Sequence, residues 1–203
     1  MFTGIVSHVA KIEKIFQKKD WEIAIIISDK KIINVNSFNN SLKIGSSVSC
    51  SGICLTLKKM ENNLLFFDVS NETASKSNFL DWKVGSYINI EQSLKVGDEI
   101  GGHFVYGHID TTAIIKNLEK IQGSYNILFE IDCKFSKYIA TKGSITIDGV
   151  SLTVNNISKN SFNVNIIPFT WDHTCFVFYK EDTIVNIEID ILARYLERLK
   201  DNV

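Results

Sequence analysis

The stretch SGICLTL, residues 51–57, returns as DGVSLTV at 148–154, with Cys54 of the first copy facing Ser151 of the second. The offset of 97 then holds without a gap from Gly52 to Glu91. Leu55 and Thr56 meet Leu152 and Thr153, Thr73 meets Thr170, Phe79 meets Phe176, and INIE (88–91) meets VNIE (185–188). The starts of the halves match at a larger offset: FTGIVSHVAKI aligns with VYGHIDTTAII, placing Gly4, Val6 and Ala10 on Gly107, Ile109 and Ala113. Composition does not produce so long an ungapped match, so the chain is a tandem duplication. Its boundary falls near SLKVGDEIGG, dividing residues 1–96 from 97–190, and the second copy has a loop about six residues shorter than the first.

Within each half the local signals are those of strands. WEIAIII (21–27), NLLFFDV (63–69), SYINI (86–90), NILFEID (126–132), SFNVNII (161–167) and TIVNIEI (183–189) are short runs rich in Ile, Val and Phe, separated by turn formers. Five or six short strands in a half this small must close on themselves or on a partner sheet to bury one face, which predicts an all-β chain of two small barrels. ETASKSNFLDW (72–82) reads as a short helix, and the chain's single proline, Pro168, leaves no Pro-rich linker between the halves. Residues 191–203 break the pattern. Leu192, Tyr195, Leu196 and Leu199 recur at helical spacing opposite Arg194, Glu197 and Arg198, which predicts an amphipathic helix packed on its own domain or joining copies of the chain.

Bulk properties exclude some functions. Of the 203 residues 45% are apolar and 22% charged, with a formal net charge of −1, the balance of a soluble globular protein without the basic footprint that nucleic acid or an anionic membrane requires. No run approaches the ~20 apolar residues of a spanning helix, and the start has no secretory character. Cys50, Cys54, Cys133 and Cys175 show no CxxC spacing and read as reduced thiols of a cytoplasmic protein.

GDEIGGH lacks the spacing of a dinucleotide turn. His103 and His108 are close in sequence, yet an interval of five on an extended segment puts them on opposite faces and no third ligand stands nearby, so no metal is expected. What remains is small and uncharged. Cys54 with Thr56, and Ser151 with Thr153, each share a strand face pointing inside the barrel or toward a ligand. Taken singly, each of these residues has an ordinary explanation in packing or strand propensity. Two polar pairs at equivalent positions of a duplication weigh toward a binding role.

MFTGIV, SVSCSGICLTL, NET, VGDEIGGHFVYGHID, KGSITIDGVSLTV, IPFT and VNIEID together resemble the riboflavin synthase family of the alpha type, in order and spacing from Met1 to about Asp190. The resemblance implies two tandem six-stranded Greek-key barrels with short helices, a C-terminal α-helix at 191–203, and a homotrimer. It implies conversion of two molecules of 6,7-dimethyl-8-ribityllumazine into riboflavin and 5-amino-6-(ribitylamino)uracil, without a metal or other cofactor. The working site would lie between the first barrel of one subunit and the second of its neighbour.

Carried over by position, ligand contacts fall on Phe2, Gly4, Ile5 and Val6, on Ser47, Cys54, Leu55 and Thr56, and on Asp68, Val69, Ser70, Asn71, Glu72 and Thr73 of the first repeat. In the second they fall on Gly107, His108 and Ile109, on Lys142, on Ser151, Leu152 and Thr153, and on Asn165, Ile166, Ile167, Pro168, Phe169 and Thr170. Cys54 and His108 are expected to matter most for turnover, with His108 moving protons. Ser151 and Asp190 are further catalytic candidates, and Phe2 is expected to close the first pocket. Ser51, Asn71 and Ala74 depart from the family's usual residues. The rival readings are a non-catalytic lumazine- or flavin-binding protein on the same barrels and a flavin-dependent reductase barrel; no second nucleotide-binding domain follows to support the latter.

Overall fold

A computed structural model describes residues 1–27 and 42–200. Much of the first repeat's longer loop, and residues 201–203 of the C-terminal segment, lie outside the described residues.

The first repeat contributes β1 (His8–Gln17), β2 (Trp21–Ile27), β3 (Ser47–Cys50), β4 (Ile53–Glu61), β5 (Leu64–Val69), α1 (Asn71–Lys76) and β6 (Tyr87–Gln92). The second contributes β7 (Thr111–Ile121), β8 (Ser124–Ile131), β9 (Ser144–Ile147), β10 (Val150–Ile157), β11 (Ser161–Ile166), α2 (Pro168–His173) and β12 (Ile184–Ile189), followed by α3 (Ile191–Lys200). Each set closes into a six-stranded barrel. The order is β1-β2-β5-β4-β3-β6 in the first and the equivalent β7-β8-β11-β10-β9-β12 in the second, all pairs antiparallel. The non-sequential neighbours, β2 beside β5 and β3 beside β6, are Greek-key connections. Even the irregularities are duplicated: the register shifts between Leu57 and Lys59 in β4 and between Val154 and Asn156 in β10.

Alternation decides which side chains fill each barrel. On β4, Ile53, Leu55 and Leu57 are buried, whereas Cys54 is half-buried and Thr56 exposed. The leucine face is the core and the Cys54–Thr56 face lies outside it. Two separate cores result, one around Ile12, Phe67 and Phe79, the other around Ile115, Phe129 and Phe176.

The expected helix over 72–82 is broken in two. α1 ends at Lys76, and the Ser77 hydroxyl accepts the Phe79 amide at 3.3 Å to start a separate 3-10 turn over Asn78–Asp81. The break lets Asn78 enter the contact between barrels, where its amide donates to Asn186 Oδ1 at 2.7 Å.

α3 presents its apolar stripe outward, with Leu192, Tyr195, Leu196 and Leu199 all more than 60% exposed. Its polar side meets its own barrel, through Arg194 with Asp110 and Lys137 with Glu197. Among the described residues no helix is long and apolar enough to cross a membrane.

Candidate functional site

The turns feeding β4 and β10 have positive φ at both central residues, Ser51 and Gly52 in one and Asp148 and Gly149 in the other, the geometry of a tight two-residue hairpin. These turns meet: a Cβ on Gly52 would stand 2.9 Å from the Gly149 amide nitrogen. Around them the barrels are joined symmetrically. Asn89 Nδ2 donates to the Asp148 carbonyl and Asn186 Nδ2 to the Ser51 carbonyl, each at 2.9 Å. Asp148 is 1% exposed and accepts from Asn186, Asn78 and the Tyr179 hydroxyl, the last at 2.6 Å.

From this junction β4 and β10 carry the matched polar pairs outward. Beside β4 lies a cavity of about 520 Å³, lined by Cys54, Leu55, Thr56, Asp68, Ser70 and Thr73 among others. Ser70 caps α1 there, accepting the Thr73 amide at 3.1 Å, and Ser47 pairs with Thr56 across the β3–β4 ladder. Lys58, unanticipated from sequence, also lines it; its ammonium lies 2.7 Å from both Asp68 and Glu22, and these bonds push its pKa up to about 12.

On β10 the corresponding hydroxyl meets a histidine. Ser151 Oγ lies 2.7 Å from His103 Nδ1, whose Nε2 lies 3.1 Å from Thr146 Oγ1. Burial lowers the His103 pKa, opposed by the nearby Asp190 charge, so the ring is neutral near pH 7, with one nitrogen donating and the other accepting. Such a ring can take a proton from the hydroxyl or return one. Asp190 also caps α3, accepting the Leu192 amide at 3.0 Å. The sequence shows His103 in GGHFVYGH, ahead of a segment that has a counterpart in repeat one, but not the approach that brings its ring to Ser151.

The loops cross between barrels. Gly4, at the start of the first repeat, has its carbonyl on the Ser151 amide at 2.8 Å; Gly107 of the second repeat has its carbonyl on the Cys54 amide at 2.9 Å. Val6 packs on the second core and its counterpart Ile109 on the first. Both glycines have positive φ, and a Cβ on either would lie 2.5 Å from the Cβ of Ser151 or Cys54. The loops are tied down by duplicated carboxylates. Glu91 accepts the Thr3 and Gly4 amides, and Glu188 accepts those of Tyr106, Gly107 and His108. Burial pushes the Glu188 carboxyl up to about 7 against the pull of these amides, and raises Glu91 too. The sequence signal for both glutamates is an acid repeated at the same place of two buried strands, INIE and VNIE.

The remaining expected residues divide by exposure. Ile5, His108, Thr153, Asn165, Ile167, Pro168 and Phe169 are exposed, and Phe169 stacks on His173 with centroids 4.1 Å apart. Lys142 is exposed with φ +66, and Leu152 and Thr170 are half-buried. Asn71 and Glu72 are exposed on α1, where Asn71 Nδ2 donates to the Lys19 carbonyl. Val69 and Ile166 point into the cores and have only main chain to offer. Phe2 is fully buried, with its backbone paired to Val105.

The Lumazine binding domain family matches residues 3–93 and again 106–190. A riboflavin synthase of Buchnera aphidicola subsp. Schizaphis graminum is 40% identical over 97% of this chain and 92% of its own length. The riboflavin synthase of Escherichia coli K12 is 38% identical over 94% and 87%. A crystal structure of LumP complexed with riboflavin superposes with a TM-score of 0.83 at 22% identity, covering 93% of this chain and 99% of that one, a likeness of fold. With both repeats matched and the likeness to the synthases running nearly end to end, the chain belongs to the riboflavin synthase family.

Proposed function

We propose that this chain is a riboflavin synthase, a transferase that converts two molecules of 6,7-dimethyl-8-ribityllumazine into riboflavin and 5-amino-6-(ribitylamino)uracil. One lumazine gives a four-carbon unit to the other, and the two products together contain every atom of the two substrates. The observation that carries this reading is the pair of look-alike strand edges differing in chemistry. Cys54 stands beside a cavity in one barrel, and Ser151 is bonded to a neutral imidazole in the other. Identical substrates with unequal roles need pockets alike in shape and unlike in their reactive groups.

The chemistry needs little assistance. The C7 methyl of the lumazine is acidic, because its carbanion delocalises into the ring, so a modest base removes the proton. The second lumazine is made electrophilic at C7 by addition of water or a side-chain nucleophile. Holding the rings in register contributes most, by replacing entropy otherwise lost in bringing two molecules together. In this reading Cys54, His108, Ser151 and Asp190 serve the proton and nucleophile steps, with His103 acting on Ser151. The outward residues of β4, β10 and the helix starts at Ser70 and Ile167 hold the rings and ribityl chains.

Residues 1–96 and 97–190 are the two lumazine-binding units, and the C-terminal segment that begins with α3 joins subunits into a homotrimer, bringing the first barrel of one chain to the second of another. The outward apolar stripe of α3 supports that assembly, and the four free cysteines support a reducing cytoplasm. Mixing the protein with the lumazine alone should yield riboflavin fluorescence to half the molar amount supplied. Stoichiometric binding without product would make it a carrier on the same barrels.

A further inference from the structure

Glu91 and Glu188 occupy matching positions of β6 and β12, are 6% and 5% exposed, and face the loop of their own repeat. Glu188 receives the Tyr106 amide on one oxygen at 2.6 Å and those of Gly107 and His108 on the other at 2.8 and 3.1 Å. The Gly107 carbonyl in turn accepts the Cys54 amide, and the Gly107 backbone lies against Cys54 so closely that no Cβ fits. The second barrel's carboxylate therefore fixes main chain that packs on the backbone and Cβ of the first barrel's cysteine. Glu91 does the reverse. It receives the Thr3 amide at 2.7 Å, the Thr3 hydroxyl at 2.8 Å and the Gly4 amide at 3.0 Å, and the Gly4 carbonyl accepts the Ser151 amide.

We infer that Glu188 is the positioning residue of the Cys54 pocket and Glu91 that of the Ser151 pocket, so that the last strand of each barrel sets a wall of the other barrel's site. This rests on the reading that Cys54 and Ser151 stand beside the two heterocycles. The wiring needs a carboxylate, which only accepts, because every group facing it donates. A glutamine would turn its NH₂ toward a buried amide and leave that donor unpaired. The crossing also ties donor and acceptor sites together, since neither wall can move without disturbing a strand of the opposite barrel.

The test is thiol access, which needs no substrate. In a Cys133→Ser background the exposed thiol is gone, and Cys50 and Cys175 are buried, so iodoacetamide reports on Cys54. Glu188→Gln should speed its alkylation by ~5-fold or more and Glu91→Gln by less than ~2-fold, because loss of hydrogen bonds to a charged group lowers only the local opening free energy. In the mirror measurement, Glu91→Gln should speed hydrogen exchange at the Ser151 amide and Glu188→Gln should leave it alone. Glu188→Asp, too short to reach all three amides, must alter Cys54 access in the same direction and serves if the glutamine variant does not fold. Equal alkylation in all variants, or equal acceleration by both glutamine variants, overturns the crossed arrangement. Absence of turnover in the parent would instead overturn the synthase reading and leave this result untouched.

Discussion

The imidazole Nδ1 of His103 lies 2.7 Å from Ser151 Oγ, whereas among the described residues the Cys54 thiol, at the matching position of the first repeat, has no such ring beside it. One hydroxyl is thus coupled to a titratable ring while the equivalent thiol is not. Ser151→Ala and His103→Gln should each lower kcat, by ~100-fold if the pair transfers a proton in the rate-limiting step. The double variant should be little worse than either single one, because two groups acting as a unit are lost together. Additive losses in steady-state rates would separate their roles.

Cys54 borders the cavity by β4 and His108 follows the glycine that covers it. Cys54→Ala and His108→Ala should slow turnover while leaving circular dichroism and melting temperature near those of the parent, since neither side chain belongs to a core. Unchanged rates would remove both from the mechanism.

Gly107 and Gly4 test the crossed loops by sterics. At φ near +77 an alanine is strained, and its Cβ would overlap that of Cys54 or Ser151. Gly107→Ala and Gly4→Ala should each cost more than ~1 kcal/mol of stability, measured by denaturant unfolding. A harmless alanine at either site would mean that the loop has room to retreat.

α3 offers Leu196 to solvent on the face away from Arg194 and Glu197, the residues that hold it to its own barrel. If α3 joins the subunits of the proposed trimer, Leu196→Glu should shift native mass from trimer to monomer and abolish turnover while each barrel stays folded. A variant that remains trimeric would place the subunit contact elsewhere.

Much of this arrangement is legible in the sequence, and the boundary of legibility is physical. Alternation along SGICLTL tells that Cys54 and Thr56 share a face, but only the burial of Leu55 and Leu57 tells that the face is outside the barrel. The duplication appears in alignment because equivalent positions meet equivalent demands within each repeat. The crossing of Gly4 to Ser151 and Gly107 to Cys54 depends on how the repeats dock, which a comparison of one repeat with the other does not contain. The same holds for the broken helix: Ser77 and Asn78 leave the helical path because Asn78 bonds across to Asn186.

Asp148 makes the docking pH-dependent. It is 1% exposed, and burial pushes its carboxyl from 3.8 up to about 7, opposed by the Tyr179 hydroxyl and the Asn186 and Asn78 donors. The unfolded chain releases this proton near 3.8, the folded chain near 7, so between those values the native state binds more protons and stability falls as pH rises. The Lys134 amide that lowers Asp132, and the lysine bonds that lower Glu61 and Glu197, act in the opposite sense, but these groups are exposed and the effects are worth little. The melting temperature should therefore be higher at pH 5 than at pH 8. Asp148→Asn keeps an oxygen for Asn186 and Asn78 and gives Tyr179 an N–H to accept, with no charge to bury. It should melt above the parent at pH 8 and show a smaller difference between the two pH values. If the asparagine variant melts below the parent at pH 8, the ionised carboxylate is what holds the barrels together, and the sign of the effect assigned to Asp148 is wrong.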